Sequence, residues 1–507
     1  MRMKFIDSYL NNITMYRLLV YYLVLLLLVA GVVSLTGGFS FTIVQLVMTT
    51  LFILSVSRIS NEIFAFCFDA IINVESVYIT ALILALIVSP AQSFHDLVFV
   101  GWVALLAVAS KFILAIKKKH LFNPAAIAVV LTAVGINQSA TWWIATLPMF
   151  PFVLIGGLLV IRKIRRFDLF VSFIVAATFT IGSLSLAKGT DILSILQRTF
   201  VDSPILFLGF VMLTEPLTTP PTKRLQIMYG AIVGFLSSPQ IRLAGFYTTP
   251  EIALVIGNCF SYLVSPKEKF ILTLKEKIQI ATDAYDFLFT ANTPFRFAPG
   301  QYMEWTLSHD NTDSRGNRRY FTLASSPSEK DIRIGVKFYE PSSSYKKALL
   351  AMDKNTKIVA AQLAGDFTLS DQVTEKSVFI AGGIGITPFR SMIQHMIDTN
   401  QNRDFVLLYS NKKKDEISYS DVFTKAHQLF GSRIRYTLTD TTNIPSDWNG
   451  LVGRIDEKMI TSEVPDWQVR TFYISGTNSM VTATHQMLLS LGVPNKNIKT
   501  DFFPGFA

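Results

Sequence analysis

Three stretches of this chain carry residue types suited to holding phosphate groups. Gly382-Gly383-Ile384-Gly385-Ile386-Thr387-Pro388 follows the apolar run Val378-Phe379-Ile380-Ala381 and opens a helical pattern. Glycines let a backbone approach a diphosphate closely, and a helix N-terminus adds N–H donors and the positive end of its dipole. Ser342-Ser343-Ser344-Tyr345 stands before a helix predicted over 346–352, where its hydroxyls and amides either bind phosphate or cap the helix. Ser410-Asn411 ends another apolar run and is placed to meet a ribose. Lys412-Lys413-Lys414 then either reaches a further phosphate or stays a solvated lysine run.

The elements that must position these residues are of two kinds. From residue 269 short alternating strands with Pro and Gly turns predict a small antiparallel barrel. From about 376 strand–turn–helix units predict a parallel α/β sheet with a crevice at the strand carboxyl ends. The expected domains are 1–265, 266–372 and 373–507, with the first boundary at Ser265-Pro266-Lys267.

Residues 1–265 are of another character. The 507-residue chain is 50% hydrophobic and only 16% charged, and the apolar excess lies in this half. That composition points to a membrane protein. Runs at 16–35, 39–57, 75–90, 95–116, 142–161, 168–187 and 249–264 read as spans, with shorter ones at 123–136, 203–214 and 226–238. The short runs are either weak spans or broken half-helices lining a cavity. Arg58, the 117–119 lysines, Arg162 to Arg166, Lys223-Arg224 and Lys267 fall at every second turn. The positive-inside rule then gives ten crossings, both termini in the cytoplasm, and a multi-pass protein of the cytoplasmic membrane. The net charge of +10 fits contact with an anionic lipid bilayer and argues against nucleic acid.

Two cysteines, Cys67 and Cys259, with no CxxC spacing argue against an iron–sulfur cluster and read as buried apolar residues. His95 and His120 are the only histidines of this half, too few for two haems, and no metal site is expected. His120, beside three lysines, reads as a headgroup contact. Glu62, Asp69 and Glu75 either line an ion path or sit between spans.

The motifs of 268–507 occur in an order that resembles the ferredoxin–NADP reductase superfamily. They run from Pro299-Gly300-Gln301-Tyr302 through Arg319-Tyr320-Phe321-Thr322, Gly365-Asp366-Phe367 and the glycine run to Ser475-Gly476-Thr477-Asn478-Ser479-Met480. The resemblance implies FAD and NADH or NADPH as cofactors. Arg319 would pair with the flavin diphosphate, with Ser343 and Ser344 nearby. Phe321 would pack beside the flavin, Tyr320 is a further cofactor-binding candidate, and Thr322 would hydrogen-bond the isoalloxazine edge. Gly382, Gly383, Gly385, Thr387, Pro388, Ser410 and Asn411 would hold the dinucleotide. Ser475, where the family has Cys, would bring the nicotinamide to the flavin with Gly476 and Met480. Thr322 and Ser475 are the catalytic candidates, and Phe503 or Phe506 would shield the flavin ring.

Residues 15–265 resemble the D subunit of the Rnf electron-transport complex and the B subunit of the sodium-pumping NADH:quinone reductase. The likeness rests on Phe122-Asn123-Pro124-Ala125-Ala126 and on the stretch from Thr214-Glu215-Pro216 through Pro220-Pro221-Thr222. It implies a ten-helix bundle with a second flavin, FMN or riboflavin. The family's Ser-Gly-Ala-Thr attachment motif is missing, and Ser139-Ala140-Thr141 is the nearest string. The whole chain is therefore expected to be an NAD(P)H-dependent flavin oxidoreductase. Its acceptor would be a flavin, a quinone or a redox protein. The alternatives are a redox-driven Na+ or H+ transporter, or a membrane-anchored flavin reductase.

Overall fold

The computed structural model describes residues 10, 13–68, 74–116, 119–243, 246–265, 269–291, 296–310, 312–313 and 315–501. It divides into two compact units, Met1–Lys269 and Phe270–Ala507, four residues beyond the boundary expected from sequence. Asp69, Phe503 and Phe506 lie outside the described residues.

The N-terminal unit is helical. Its helices are α1 (Met15–Leu35), α2 (Ile43–Cys67), α3 (Val74–Ile87), α4 (Phe94–Ile113), α5 (Pro124–Ile136), α6 (Phe150–Ile164), α7 (Phe167–Leu186), α8 (Ile192–Phe200), α9 (Ile205–Phe207), α10 (Lys223–Leu236) and α11 (Pro250–Val264). Capping fixes several starts. Thr42 and Gln45 form a capping box on α2, Ser93 and Asp96 form one on α4, and Asn123 caps α5 ahead of Pro124. Among the described residues four helices, α1, α2, α4 and α7, are long and apolar enough to cross a bilayer. A fifth crossing results if α8 and the 205–212 segment, bent by 49°, count as one. Length and composition therefore support fewer crossings than the ten expected from loop charge. A bilayer core needs about 20 helical residues. The runs expected at 75–90, 123–136, 142–161, 226–238 and 249–264 form helices of only 13 to 15 residues. Leu28, Leu35, Val44, Phe66, Val134 and Phe179 are among the many large apolar side chains that face outward, an apolar exterior unusual for a water-facing surface.

Several expectations for this unit change. His120 is 7% exposed and contacts Glu215 at 3.3 Å, so it is an interior residue and not a headgroup contact. Asn123 Nδ2 donates to the same carboxylate (2.9 Å), its backbone N–H donates to Asn258 Oδ1 (2.8 Å), and Asn258 Nδ2 donates to the Tyr229 hydroxyl (2.9 Å). The two Pro-broken stretches singled out in the sequence are thus tied together by one polar knot, which satisfies groups that an apolar interior would otherwise penalise. Glu62 pairs with Arg58 at 2.6 Å on a half-exposed surface, which removes it from an interior ion path. Cys67 and Cys259 are exposed, not buried. Thr141 is exposed, with its hydroxyl 2.9 Å from Ser89 Oγ.

The C-terminal unit holds two sheets. The first contains β1 (Phe270–Ala281), β2 (Ala284–Ala291), β3 (Tyr302–Thr306), β4 (Arg318–Thr322), β5 (Ile332–Lys337) and β6 (Lys357–Ala364), in the order β4-β3-β6-β1-β2-β5. Every pairing is antiparallel. Two register shifts between β1 and β2 bend the sheet. Leu272, Phe287, Phe289, Met303, Trp305 and Ile334 fill its interior, with α12 (Ser344–Ala351) contributing Tyr345 and Leu349.

The second sheet contains β7 (Ser377–Gly382), β8 (Phe405–Asn411), β9 (Arg433–Leu438), β10 (Leu451–Val452), β11 (Thr471–Ser475) and β12 (Ile498–Asp501), in the order β10-β9-β8-β7-β11-β12 and all parallel. Helices α13 (Thr387–Asp398), α14 (Ser420–Phe430), α15 (Glu457–Glu463) and α16 (Asn478–Ser490) complete the unit. Alternate residues of β7 point to opposite cores: Phe379 packs with Phe389 and Tyr473, and Val378 and Ile380 with Phe472 and Val481. That explains the unbroken apolar strand sequences. The neighbours β8 and β11 leave β7 on opposite sides, so the carboxyl end of β7 is a topological switch point.

Candidate functional site

The glycine run sits at that switch point. Register places Gly382 beside Ser410, Ala381 beside Ser475, and Ser475 beside Asp501. Gly383 has φ +53° and open space around its Cα, which favours glycine. Gly385 lies so close to β11 that a Cβ there would come 2.5 Å from Ser475 O and 2.6 Å from both Gly476 N and Cα. Met480 packs its sulfur against Gly382 and Gly476. Thr387 and Pro388 open α13, and the Thr387 hydroxyl donates to Ile384 O at 3.2 Å. The structure thus gathers Gly382, Gly383, Gly385, Thr387, Pro388, Ser410, Asn411, Ser475, Gly476 and Met480 at the carboxyl ends of neighbouring strands. Ser475 Oγ donates to Asp501 Oδ2 at 3.2 Å, with both residues buried. Asp501 was not foreseen; only the register of the last strand reveals it. Among the three lysines, Lys414 is held by Asp447, which leaves Lys412 and Lys413 nearest the end of β8.

The second group lies on β4 and α12. Arg319 is 5% exposed, its guanidinium stands 4.9 Å over the Tyr345 ring, and Nη1 donates to Arg315 O at 2.8 Å. Phe321 lies on the same side, 6.2 Å from that ring. Tyr320 points the other way, with its hydroxyl on Glu304 (2.9 Å) and its ring edge-on to Tyr302. This is the two-residue alternation of a strand. Ser343 is the N-cap of α12 and accepts from Lys346 N, so the capping role is met. The Ser344 N–H donates to Asp313 Oδ2 at 2.8 Å, and the Ser344 hydroxyl contacts His309 at 3.0 Å. Asp313 also takes Arg315 Nη2 at 2.9 Å. Burial by itself would raise the Asp313 carboxyl, but Arg315 and the Ser344 amide outweigh it and hold the group at about 2. Burial, then Arg319 and Arg315, lowers Lys346 to about 8, and burial lowers Arg319 to about 10. Arg315, Arg319 and Lys346 lie close enough to disfavour one another's charge, with Asp313 beside the arginines, an environment that favours an additional anion.

The fit of these residues to a flavin can be tested on Thr322. Its hydroxyl is buried, 4% exposed, and has no hydrogen-bond partner among the described residues. A buried unpaired hydroxyl is costly and calls for a partner. Thr322 ends β4 at the edge of the site, so a polar flavin edge fits there.

The two groups are stitched together. Arg390 on α13 donates to Ala324 O at 2.9 Å and forks onto Glu329, with Nη2 2.9 Å from Oε1. Ser391 Oγ donates to Ser325 O at 2.6 Å, and Ser326 N donates to Glu329 Oε2 at 2.6 Å. A second junction is buried: the Tyr419 hydroxyl and Arg333 Nη1 each reach Asp286 at 2.5 Å. Burial raises the Asp286 carboxyl against the pull of Arg333, and burial beside Asp286 pushes the Tyr419 phenol well up. Tyr419 adopts φ +61°, unusual for an aromatic residue. Glu329, Arg390, Asp286, Arg333 and Tyr419 were not singled out from sequence, because the bonds that join them span 47 to 133 positions.

Residues 379–486 match the oxidoreductase NAD-binding domain family. The reductase subunit of glycine betaine monooxygenase from Chromohalobacter salexigens is 28% identical over 219 residues, 42% of this chain and 59% of that protein. Flavohemoprotein A of Dictyostelium discoideum is 26% identical over 216 residues, 41% of this chain and 52% of that one. The chain thus spans little more than half the length of these curated relatives. The cytochrome b5 reductase domain of Ulva prolifera nitrate reductase superposes with a TM-score of 0.42 at 19% identity, over 47% of this chain and 98% of that domain. The family match covers the glycine run, α13 and Ser475–Met480. The match to the oxidoreductase NAD-binding family thus falls on the parallel-sheet half of the C-terminal unit.

Proposed function

We propose that this chain is a membrane-bound NAD(P)H-dependent flavin oxidoreductase. It would take electrons from NADH or NADPH in the cytoplasm and deliver them to an acceptor at the cytoplasmic membrane. The observation that carries the reading is the junction just described. It ties the end of β4, with its unpaired Thr322 hydroxyl, to the helix that begins at the glycine run.

Bound FAD would accept a hydride from the nicotinamide and pass electrons on singly, the conversion most membrane carriers require. Arg319 and the α12 N-terminus hold its diphosphate, and Thr322 donates to or accepts from the ring edge. Phe321 and Tyr345 pack beside Arg319. Gly382, Gly383 and Gly385 let the dinucleotide's phosphates reach the first turn of α13. Ser475, held by Asp501, borders the nicotinamide end of the crevice. No side chain need act as a general base, because orientation supplies the catalysis.

In this reading the N-terminal unit lies in the bilayer. Its outward-facing apolar side chains support that placement. By its resemblance, it takes the electrons onward through FMN or riboflavin, or to a quinone. A second reading is favoured by the relatives, one of which is named as a reductase subunit of a monooxygenase: the acceptor would be a partner redox protein and the helical unit an anchor.

Flavins released by denaturing the purified full chain test the first claim. FAD at one per chain is expected, and protein free of FAD refutes it. A second flavin per chain favours onward transfer through the helices. Its absence, with rapid reduction of a soluble redox protein, favours the anchor.

A further inference from the structure

The flavin-side and dinucleotide-side residues belong to different sheets, fixed against each other by several contacts, Tyr419–Asp286 and Lys337–Glu416 (2.8 Å) among them. Helix α13 makes three of them in its first five residues. A Cβ on Gly335 of β5 would lie 2.8 Å from Thr387 Cγ2, so Thr387 rests directly on the barrel. One turn later Arg390 forks onto Glu329 and reaches Ala324 O, and Ser391 reaches Ser325 O. Residues 324, 325 and 329 follow Thr322 directly, and Glu329 is itself fixed by the Ser326 N–H. The Arg390 side chain is 6% exposed and Glu329 is 25% exposed, so this fork is largely shielded from water, where bidentate charge-assisted bonds hold geometry best.

The structure assigns Arg390 as a positioning residue: by clamping α13 onto 324–329, it sets the separation between the Thr322 edge of the flavin site and the glycine run. Arg390 touches neither cofactor in this assignment. It acts through the helix, a rigid element that carries the glycine run at its start. The assignment rests on the flavin reading of the Thr322 site.

The test uses full-length protein in detergent, anaerobic flavin reduction by NADH and by NADPH, and deuterium at the transferred position of the nicotinamide. The variants are Arg390→Gln and Glu329→Gln. The control is Arg470→Gln, which removes a comparably buried arginine, paired with half-exposed Asp404 (2.8 Å), and touches no candidate site residue.

We expect Arg390→Gln to keep its flavin and its dissociation constant for NAD(P)H within about twofold. Flavin reduction should slow about 10- to 100-fold, the sensitivity expected of an ångström-scale misplacement. The primary isotope effect should rise, and a rise requires that the hydride step itself has slowed. Glu329→Gln should reproduce the defect, and the double variant should add little to it. Arg470→Gln should lower the melting temperature without changing the isotope effect. If Arg390→Gln matches Arg470→Gln in reduction rate and isotope effect, Arg390 is only structural and the assignment falls. If wild-type flavin is not reduced by either nucleotide, the functional reading itself has failed, whatever Arg390 does.

Discussion

Replacing Gly385 by Ala is the sharpest probe of the crevice. The new methyl carbon would lie 2.5 Å from Ser475 O and 2.6 Å from Gly476 N and Cα. All three are backbone atoms of the neighbouring segment and cannot swing aside as a side chain would. Restoring ordinary contact of about 3.5 Å requires the glycine run and β11 to part by roughly 1 Å. Overpacking of this kind costs about 1–3 kcal/mol, which as lost dinucleotide affinity is roughly 5- to 150-fold. Gly383→Ala is the matched control. Its φ of +53° strains an L-residue by about 1–2 kcal/mol, but nothing lies within 4 Å of the added carbon. It should therefore cost stability without separating the strands. Stopped-flow reduction of the flavin by NADH and NADPH, with thermal melting in parallel, reads both effects. Gly385→Ala should weaken dinucleotide binding or slow reduction at least about fivefold more than Gly383→Ala. Equal effects from the two, or full activity in Gly385→Ala, would refute the close-approach argument.

Other predictions follow from the flavin side and the junction. Arg319→Ala should lose FAD on gel filtration, while retention at full occupancy would count against its phosphate role. Asp313 holds the Ser344 amide that a phosphate oxygen would take, so Asp313→Asn should tighten FAD about tenfold by titration. Lys346 is held at about 8 by burial and two arginines. A bound diphosphate would raise it, so FAD binding should take up protons and weaken as pH rises through 8, and Lys346→Met should flatten that dependence. Tyr419→Phe removes a donor from fully buried Asp286 and should cost about 1–3 kcal/mol of stability, read by denaturant titration.

How much of this was legible in the sequence depends on how local each signal is. The glycine run, the β4 motif and Ser475–Met480 were readable because backbone requirements and strand alternation act over a few residues. The change from barrel to parallel sheet was readable for the same reason. Fewer helices pass on length and composition than loop charge suggested, because apolar runs record burial as well as bilayer contact, and α3, α5 and α11 are short helices. Helix α8 was missed because its nine residues carry an exposed Asp191 cap and too few apolar positions. His120 was misread because its lysine neighbours in sequence conceal its partner Glu215, 95 positions on. The Arg390 fork and the Asp286 junction look, in sequence, like charges on solvated faces. Only tertiary structure pairs them.

The polar knot at His120, Asn123, Glu215, Tyr229 and Asn258 has a mechanical consequence. It fastens α5, α10, α11 and the Pro-broken stretch after residue 212 to one another by directional bonds, in addition to their apolar packing. Loss of any one of these side chains therefore leaves a donor or acceptor on a second segment without its partner in the knot.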